Sequence, residues 1–484
     1  MATPILAADG WETVIGLEVH VQLKTRSKMF CGCSTAFGDP PNTNVCPVCL
    51  GLPGALPVPN AEALRLATRA ALALGCTIHE TSVFARKNYF YPDLPKGYQI
   101  SQFDKPLATD GDVWFESPER GRVDVVIQRL HVEEDAGKSL HERVPGKTAV
   151  DLNRAGVPLA EIVSGPDMRS PAEARAYLTM MRQILVYTGV SDCSMELGSL
   201  RVDANLSIRR PGEPLGTKTE VKNMNSFANV ERALEAERAR QVALLESGGR
   251  VQQVTLLFDA ATGEVRPQRS KEESHDYRYF PDPDLPPLVL DRKWIEARRA
   301  ELPELPDAKR ERFQTVLGLP AYDARVLAGE RAVADYFEAV VAAGAEPKAA
   351  ANWTMGEAMT GYNESGAFAV APARLAELVA LVKDGVVSGQ AAKRVYGELA
   401  GGGAGSTESP RAAAERLGLV QVRDEGALAG WVDEVIAAHP GEVARYRGGE
   451  TKLIGFFVGQ VMKKSQGKAD PKGVQPVLTA KLRG

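Results

Sequence analysis

The segment RLHVEEDAGKSLHE, residues 129–142, gathers two histidines, four carboxylates, an arginine and a lysine directly after the apolar run VDVVIQ. A solvated turn with no task would account for that charge. So would a site that holds a hard cation against phosphate oxygens, because Mg²⁺ takes carboxylate oxygens and water and leaves places for substrate phosphates. Three other short segments carry the same kind of residues. In TVIGLEVHVQL (13–23), Ile15, Leu17, Val19, Val21 and Leu23 alternate with Gly16, Glu18, His20 and Gln22. The period of two in a strand then sets Glu18 and His20 side by side on one face. In RVDANLSIR (201–209), Val202, Ala204, Leu206 and Ile208 point one way, and Arg201, Asp203, Asn205, Ser207 and Arg209 the other. TKTEVKNMNSF (217–227) adds Lys218, Glu220 and Lys222 on one face, and RVDVVIQRLHVEE ends in His131, Glu133 and Glu134.

Polar faces that are simply wet are the commoner cause of such alternation. Against that reading, strands deplete Asp and Asn, whereas these faces carry Glu, His, Asp, Asn and Arg. Four strands would then present acids and bases to one shared surface. Lysines and arginines among the acids suit a triphosphate whose charge must be spread during transfer. The chain has no G-x-x-x-x-G-K-[ST] loop, so a nucleotide would lie on an open sheet, cradled by side chains.

CGCSTAFGDPPNTNVCPVCLG places Cys31, Cys33, Cys46 and Cys49 in a C-x-C-x₁₂-C-x₂-C pattern. Two close pairs joined by Gly/Pro turns suit tetrahedral Zn²⁺ with every position filled by protein, which makes the ion structural. An iron–sulfur cluster and four unligated cysteines are the other readings. Cys76 and Cys193 stand alone, with no histidine beside them to activate a thiol. RKNYFYPDLPKGYQISQ (86–102) and HDYRYFPDPDLPP (275–287) both run from aromatic residues into Pro-Asp and Leu-Pro. They read equally as surfaces on which a base stacks and as rigid lids on the core edge. Lys87, beside the first, is a candidate phosphate contact.

The elements that must position these residues form three textures. Up to about residue 290, alternating runs and Gly/Pro turns predict a sheet-rich α+β domain, with helices over 61–75 and after Ser170-Pro171. From about 297 to 400 the chain is Ala-rich and helical. AGGGAGSTESP (400–410) then reads as a linker; Ser406 has no lysine partner of the kind serine amidases use. A small helical tail follows.

At 484 residues the chain exceeds one ordinary core. Apolar residues at 44% and charged residues at 25% are those of a globular protein. No apolar run of ~18 residues predicts a membrane span, and no signal peptide is visible, so a cytoplasmic location is expected. Clustered cysteines in a reducing compartment point to metal rather than cystines. From Arg445 onward, nine Lys or Arg face two acids, so the tail carries +7 and the remainder −11. A basic end on an acidic body suggests a polyanionic partner.

GLEVHVQL, CPVCLGLPGALPVPN, RKNYFYPDLPKGYQISQ, LHVEEDAGK, RVDANLS, EVKNMNSF, DYRYFPDPDLPP and GFFVGQVMKKSQGKADP together resemble the B-subunit family of bacterial aspartyl/glutamyl-tRNA amidotransferases, in the same order from about residue 11 onward. The resemblance implies a cradle-shaped catalytic domain with a mainly antiparallel sheet, similar to glutamine synthetase and guanido kinases. An all-α domain and a small tail similar to the stand-alone protein YqeY would follow, with boundaries at 1–294, 295–406 and 407–484 and the zinc-binding insertion at 31–49. It implies ATP- and Mg²⁺-dependent activation of the side-chain carboxylate of Glu-tRNA(Gln) or Asp-tRNA(Asn), then amidation. The ammonia would come from a separate amidase chain, the A subunit, while a small C subunit holds the heterotrimer together. A non-discriminating aminoacyl-tRNA synthetase would be a further partner. Glu18, His20, Glu133, Glu134, Asp203 and Glu220 match the family's catalytic motifs, and Lys87, Arg201, Lys218 and Lys222 become phosphate contacts. The resemblance assigns Mg²⁺ to Glu18, His20, Glu134 and Glu220, and the tRNA to tail residues including Lys463, Lys464 and Lys468. Two rival readings keep the same features: a zinc-stabilised RNA-binding scaffold without catalysis, and an ATP-dependent amide ligase acting on a small free acid.

Overall fold

The computed structural model describes residues 9–270, 277–402, 407–421, 425–465 and 468–483. Ser406 and His275 lie outside the described residues, as do the side chains of residues 141–144, which include the second histidine of RLHVEEDAGKSLHE. The chain divides into two compact units, Met1–Leu305 and Pro306–Gly484. The first is mixed α/β around a large, mostly antiparallel sheet, and the second is helical. Among the described residues no helix is long and apolar enough to cross a membrane.

Nine strands build the sheet of the first unit: β1 (Glu12–Gln22), β2 (Thr77–Ile78), β3 (Ala108–Ser117), β4 (Gly121–Glu134), β5 (Pro158–Ser164), β6 (Leu200–Arg209), β7 (Thr219–Lys222), β8 (Val254–Asp259) and β9 (Glu264–Ser270). Their order across the sheet is β9-β8-β7-β6-β1-β5-β4-β3-β2, and β7–β8 is a parallel pair among otherwise antiparallel neighbours. The alternation in β1 and β6 has the expected outcome: Ile15, Leu17, Val19, Val21, Val202, Ala204, Leu206 and Ile208 are buried in one core. Three helices contribute to that core: α1 (Ala61–Ala73), α2 (Pro171–Tyr187) and α3 (Phe227–Glu246). Each begins at a side-chain cap, from Asn60, Ser170 and Ser226, that satisfies amide groups the first turn leaves free. With one sheet face covered, the polar face remains for chemistry.

One irregularity matters to that face. On β4, Val123, Val125 and Ile127 are core residues, and strict alternation would send His131 and Glu133 into the core with them. Val163 pairs with Arg129 but Ser164 with Ile127, so Gln128 is an extra residue in β4. This β-bulge inverts the parity. Leu130 and Val132 take over the core side, and His131 and Glu133 turn to the polar side.

In the second unit, helices run from Pro306 to Arg483. The helix Arg292–Ala300, placed by the sequence near the start of the helical region, packs against α1 in the first unit. The helix Pro410–Arg416 packs against the helices Pro372–Lys383 and Gly389–Gly401. The final helices form a separate small core around Val432, Phe457, Val461, Val474 and Leu478.

Candidate metal and nucleotide site

Register alone brings the charged residues together. Arg201 on β6 stands opposite His20 on β1, His20 opposite Glu161 on β5, and Glu161 opposite His131 on β4. One pleat away, Asp203 pairs with Glu18, and Asn205 with Glu220. Cross-strand partners on one face sit within side-chain reach, so two clusters form along the polar face.

In the first cluster, Glu161 Oε2 lies 3.2 Å from His20 Nε2 and 3.3 Å from His131 Nε2. Glu133 lies 3.8 Å from His20 and 3.6 Å from His131. Burial works against charge on either imidazole, yet the Glu161 and Glu133 carboxylates outweigh it and lift both histidines to about 9. Burial likewise opposes ionisation of the two carboxyls, and the histidines hold both below the usual range. His131 Nδ1 is buried without a hydrogen-bond partner. His20, Glu133 and Glu161 offer ligand atoms all within 4.8 Å of one another.

Glu18, Asp203 and Glu220 form the second cluster with the same mutual spacing. Its supports are specific. Asn205 Nδ2 donates to Glu18 at 3.0 Å, Thr255 Oγ1 donates to Glu220 at 2.9 Å, and Lys222 Nζ donates to Asp203 at 2.6 Å. Burial depresses the Lys222 ammonium, but Asp203 and Glu220 reverse this and push its pKa up. Three carboxylates fit a hard cation of the Mg²⁺ kind, and the imidazole-containing cluster fits a borderline ion as well.

Each residue singled out in the sequence can now be placed. Glu18, Asp203 and Glu220 come together, as do His20 and Glu133. Glu134 lies outside both clusters: adjacent strand residues face opposite ways, and its carboxylate accepts from Lys96 Nζ and, at 2.9 Å, from Ile100 N. Arg201 is anchored by Asp135 at 2.9 Å. Lys87 is raised above its ordinary value, with Tyr279, Glu133 and Glu161 overcoming its burial. Lys218 is exposed and lines a cavity that Glu18 also lines. Sequence reasoning missed Glu161 and Asp135. Glu161 is a lone carboxylate inside the apolar strand PLAEIVS, and that isolation was the available signal.

Because Glu134 and Lys96 are both nearly buried, neutralising one strands the other. Glu134→Gln should cost about 3–5 kcal/mol of stability, and adding Lys96→Met should recover most of it. Urea melts of the single and double variants check this.

The two aromatic loops meet. The strand Phe84–Asn88 pairs with Tyr98–Gln102 on one side and Phe280–Pro281 on the other, and Arg86 bonds Asp282 at 2.9 Å. Phe103 stacks on Tyr279 with ring centroids 4.3 Å apart, and Lys87 Nζ lies 4.9 Å from the Tyr277 centroid. The loops therefore roof Lys87 at the edge of the first cluster.

Cys31, Cys33, Cys46 and Cys49 bring all four sulfurs within 4.8 Å of one another, and Cys46 and Cys49 sulfurs are 3.9 Å apart. Zn–S bonds of ~2.3 Å in a tetrahedron imply about 3.8 Å between sulfurs, so the set fits zinc. The fully buried Lys28 places Nζ 3.6 Å from Cys49 Sγ, a cation that offsets thiolate charge. Hydrogen bonding from Cys31 overrides burial and draws the Cys49 thiol down to about 4. Burial instead pushes the Cys76 and Cys193 thiols up to about 12, which keeps both protonated. Cys46→Ser should strip the metal and lower the melting temperature by ~5 °C; metal analysis with calorimetry is the check.

In the tail, Lys463 and Lys464 are exposed at the end of the helix Ile454–Lys464, and Lys468 follows. Lys464 is paired with Glu434 at 2.8 Å.

Residues 13–296 match the GatB/GatE catalytic domain family and residues 335–482 the GatB domain. Proteins named as the B subunit of aspartyl/glutamyl-tRNA(Asn/Gln) amidotransferase are similar along the whole chain. That of Geotalea uraniireducens (strain Rf4) is 54% identical over 482 residues, covering 98% of this chain and 100% of its own. The Geobacter sulfurreducens protein is 54% identical over 483 residues, with the same coverage. The Moorella thermoacetica protein is 53% identical over 479 residues, again covering 98% and 100%.

Proposed function

The chain belongs to the B-subunit family of aspartyl/glutamyl-tRNA(Asn/Gln) amidotransferases, and from that membership we propose how its residues divide the work. The chain serves tRNA-dependent transamidation, as a ligase of the amidotransferase type. Its substrates are Glu-tRNA(Gln), Asp-tRNA(Asn) or both, and the polar sheet face is where their side-chain carboxylate is activated by ATP. The open nine-stranded sheet is the cradle, with the helical domain and basic tail following it. The observation that carries this reading is the pair of clusters, Glu18/Asp203/Glu220 and His20/Glu133/Glu161, on one face of one sheet.

A divalent cation at these clusters would neutralise phosphate charge and hold the γ-phosphate in line with the attacking oxygen. Glu18, Asp203 and Glu220 would hold one ion, and His20, Glu133 and Glu161 the other. Lys222, tied to Asp203, and Lys218 at the cavity mouth are placed to meet the phosphates. Lys87 and Arg201 flank the first cluster, where they steady the negative charge that develops on the transferring group. A side-chain carboxylate oxygen attacks the γ-phosphorus and ADP leaves. Ammonia then attacks the acyl carbon, the carbon–oxygen bond breaks, phosphate departs, and the nitrogen loses a proton. The aromatic roof over Lys87 excludes water that would hydrolyse the acyl phosphate. Glu134 is a positioning residue that fixes the end of β4 against Ile100.

Deeply buried Cys76 and Cys193 leave no activated thiol to release ammonia from glutamine. This supports a separate amidase chain, the A subunit, as the source, with the small C subunit holding the two together. The basic tail, with Lys463, Lys464 and Lys468, supplies phosphate contacts to tRNA, whose affinity should fall steeply with salt. Zn²⁺ at the four cysteines is structural. ADP release from Mg·ATP by the assembled complex tests the reading. Mischarged tRNA should stimulate it, while uncharged tRNA and free glutamate should not. Equal rates with and without charged tRNA would favour a scaffold, and turnover of free glutamate a small-acid ligase.

A further inference from the structure

A cavity of about 240 Å³ opens beside the Glu18/Asp203/Glu220 cluster, and nothing in the mechanism above fills it. Its lining changes character from one end to the other. Glu18 and Lys218 supply charge, while Val163, Pro166 and Leu215 supply apolar surface, and Gly16 contributes no side chain where the polar face of β1 would otherwise carry one. Leu215 is 57% exposed, an apolar side chain held at a rim rather than in a core. Gly216 keeps it there: a Cβ at Gly216 would lie 2.3 Å from the Ile208 carbonyl oxygen, so only glycine lets this loop press on β6. Asn205 lines the same space. With its Nδ2 committed to Glu18, its Oδ1 is buried without a partner, an acceptor left for a ligand.

The volume is below the roughly 300–1,000 Å³ of pockets that enclose a whole drug-sized ligand, so the cavity suits one end of a longer molecule. The other end must be anionic and metal-bound, since the mouth meets three carboxylates and two lysines. We propose that this cavity takes the base and ribose of ATP, with the triphosphate leaving past Glu18 toward Asp203 and Glu220 between Lys218 and Lys222. The inference rests on the phosphoryl-transfer reading above and specifies which side of the clusters each substrate uses. The nucleotide enters from the Gly16 side, and the aminoacyl end of the tRNA reaches the His20/Glu133/Glu161 side under the aromatic roof. A terminal adenosine of tRNA is the rival source of the same chemistry in the cavity.

Gly16 offers a direct test. A Cβ there meets nothing nearer than 3.5 Å, the Gly165 carbonyl oxygen, so a valine fills the cavity without striking the backbone. In the assembled complex, Gly16→Val should weaken binding of Mg²⁺ with a non-hydrolysable ATP analogue by about tenfold or more, measured by equilibrium dialysis. Affinity for mischarged tRNA should stay within about twofold. Leu215→Asp, on the exposed rim, should weaken the same nucleotide similarly and decides the matter alone if the valine variant does not assemble. Unchanged nucleotide affinity in the assembled variants would overturn the proposal, as would loss of tRNA affinity in its place. Failure of the unaltered complex to bind the analogue at all would instead overturn the phosphoryl-transfer reading beneath it.

Discussion

Glu161→Gln should reduce transamidation by about 10²–10³, the scale of one lost electrostatic contact in a water-poor site, and should abolish Mn²⁺ binding at its cluster. Glu161 is the hub of that cluster, within 3.3 Å of both imidazoles, whereas Glu133 stands 3.6 and 3.8 Å away. Glutamine keeps the volume but donates where the carboxylate accepts, so it cannot serve a cation or both histidines. The fold should survive, since the histidines can shed their protons once the carboxylate is gone and burial favours the neutral form. Steady-state transamidation, Mn²⁺ titration by electron paramagnetic resonance and a melting curve on the same preparation separate these effects. A variant that melts early and loses activity in proportion would mean that Glu161 only holds strands together.

Glu18→Gln should be as severe, by a different route. Glu18 belongs to the Asp203/Glu220 cluster and accepts from Asn205, and its strand is central in the sheet. Removing its charge should cost about 10²–10³ in the ATP-cleavage step, while tRNA affinity, carried by the tail, stays near wild type. Single-turnover ADP formation and filter binding of charged tRNA measure the two halves. Parallel losses in both would tie Glu18 to tRNA docking instead.

How much of this could be read from the chain follows from what alternation encodes. Glu18, His20, Arg201, Asp203 and Asn205 were legible because β1 and β6 alternate strictly, so period two fixes the face of each residue. The four cysteines were legible because ligand spacing is local. Strand order was not, since it depends on pairings across more than a hundred residues, and Glu161 reached the site only through it. The β4 bulge at Gln128 decides that His131 and Glu133, and not Glu134, face the clusters, and nothing in RVDVVIQRLHVEE marks it. Reading Glu133 and Glu134 as equivalent overlooked that neighbours in a strand point apart. The aromatic loops were flagged by composition, yet only the pairing of Phe84–Asn88 with Phe280–Pro281 shows that both close over Lys87.

The central claim is that the substrate carboxylate is phosphorylated on this sheet face before nitrogen arrives. Glu-tRNA(Gln) labelled with ¹⁸O in the side-chain carboxylate, turned over by the assembled complex with ATP and glutamine, tests it most directly. If the carboxylate oxygen attacks the γ-phosphorus, inorganic phosphate should carry one ¹⁸O for each amide formed, and Glu18→Gln should suppress label and amide together. Phosphate that emerges unlabelled while amide accumulates would contradict the account.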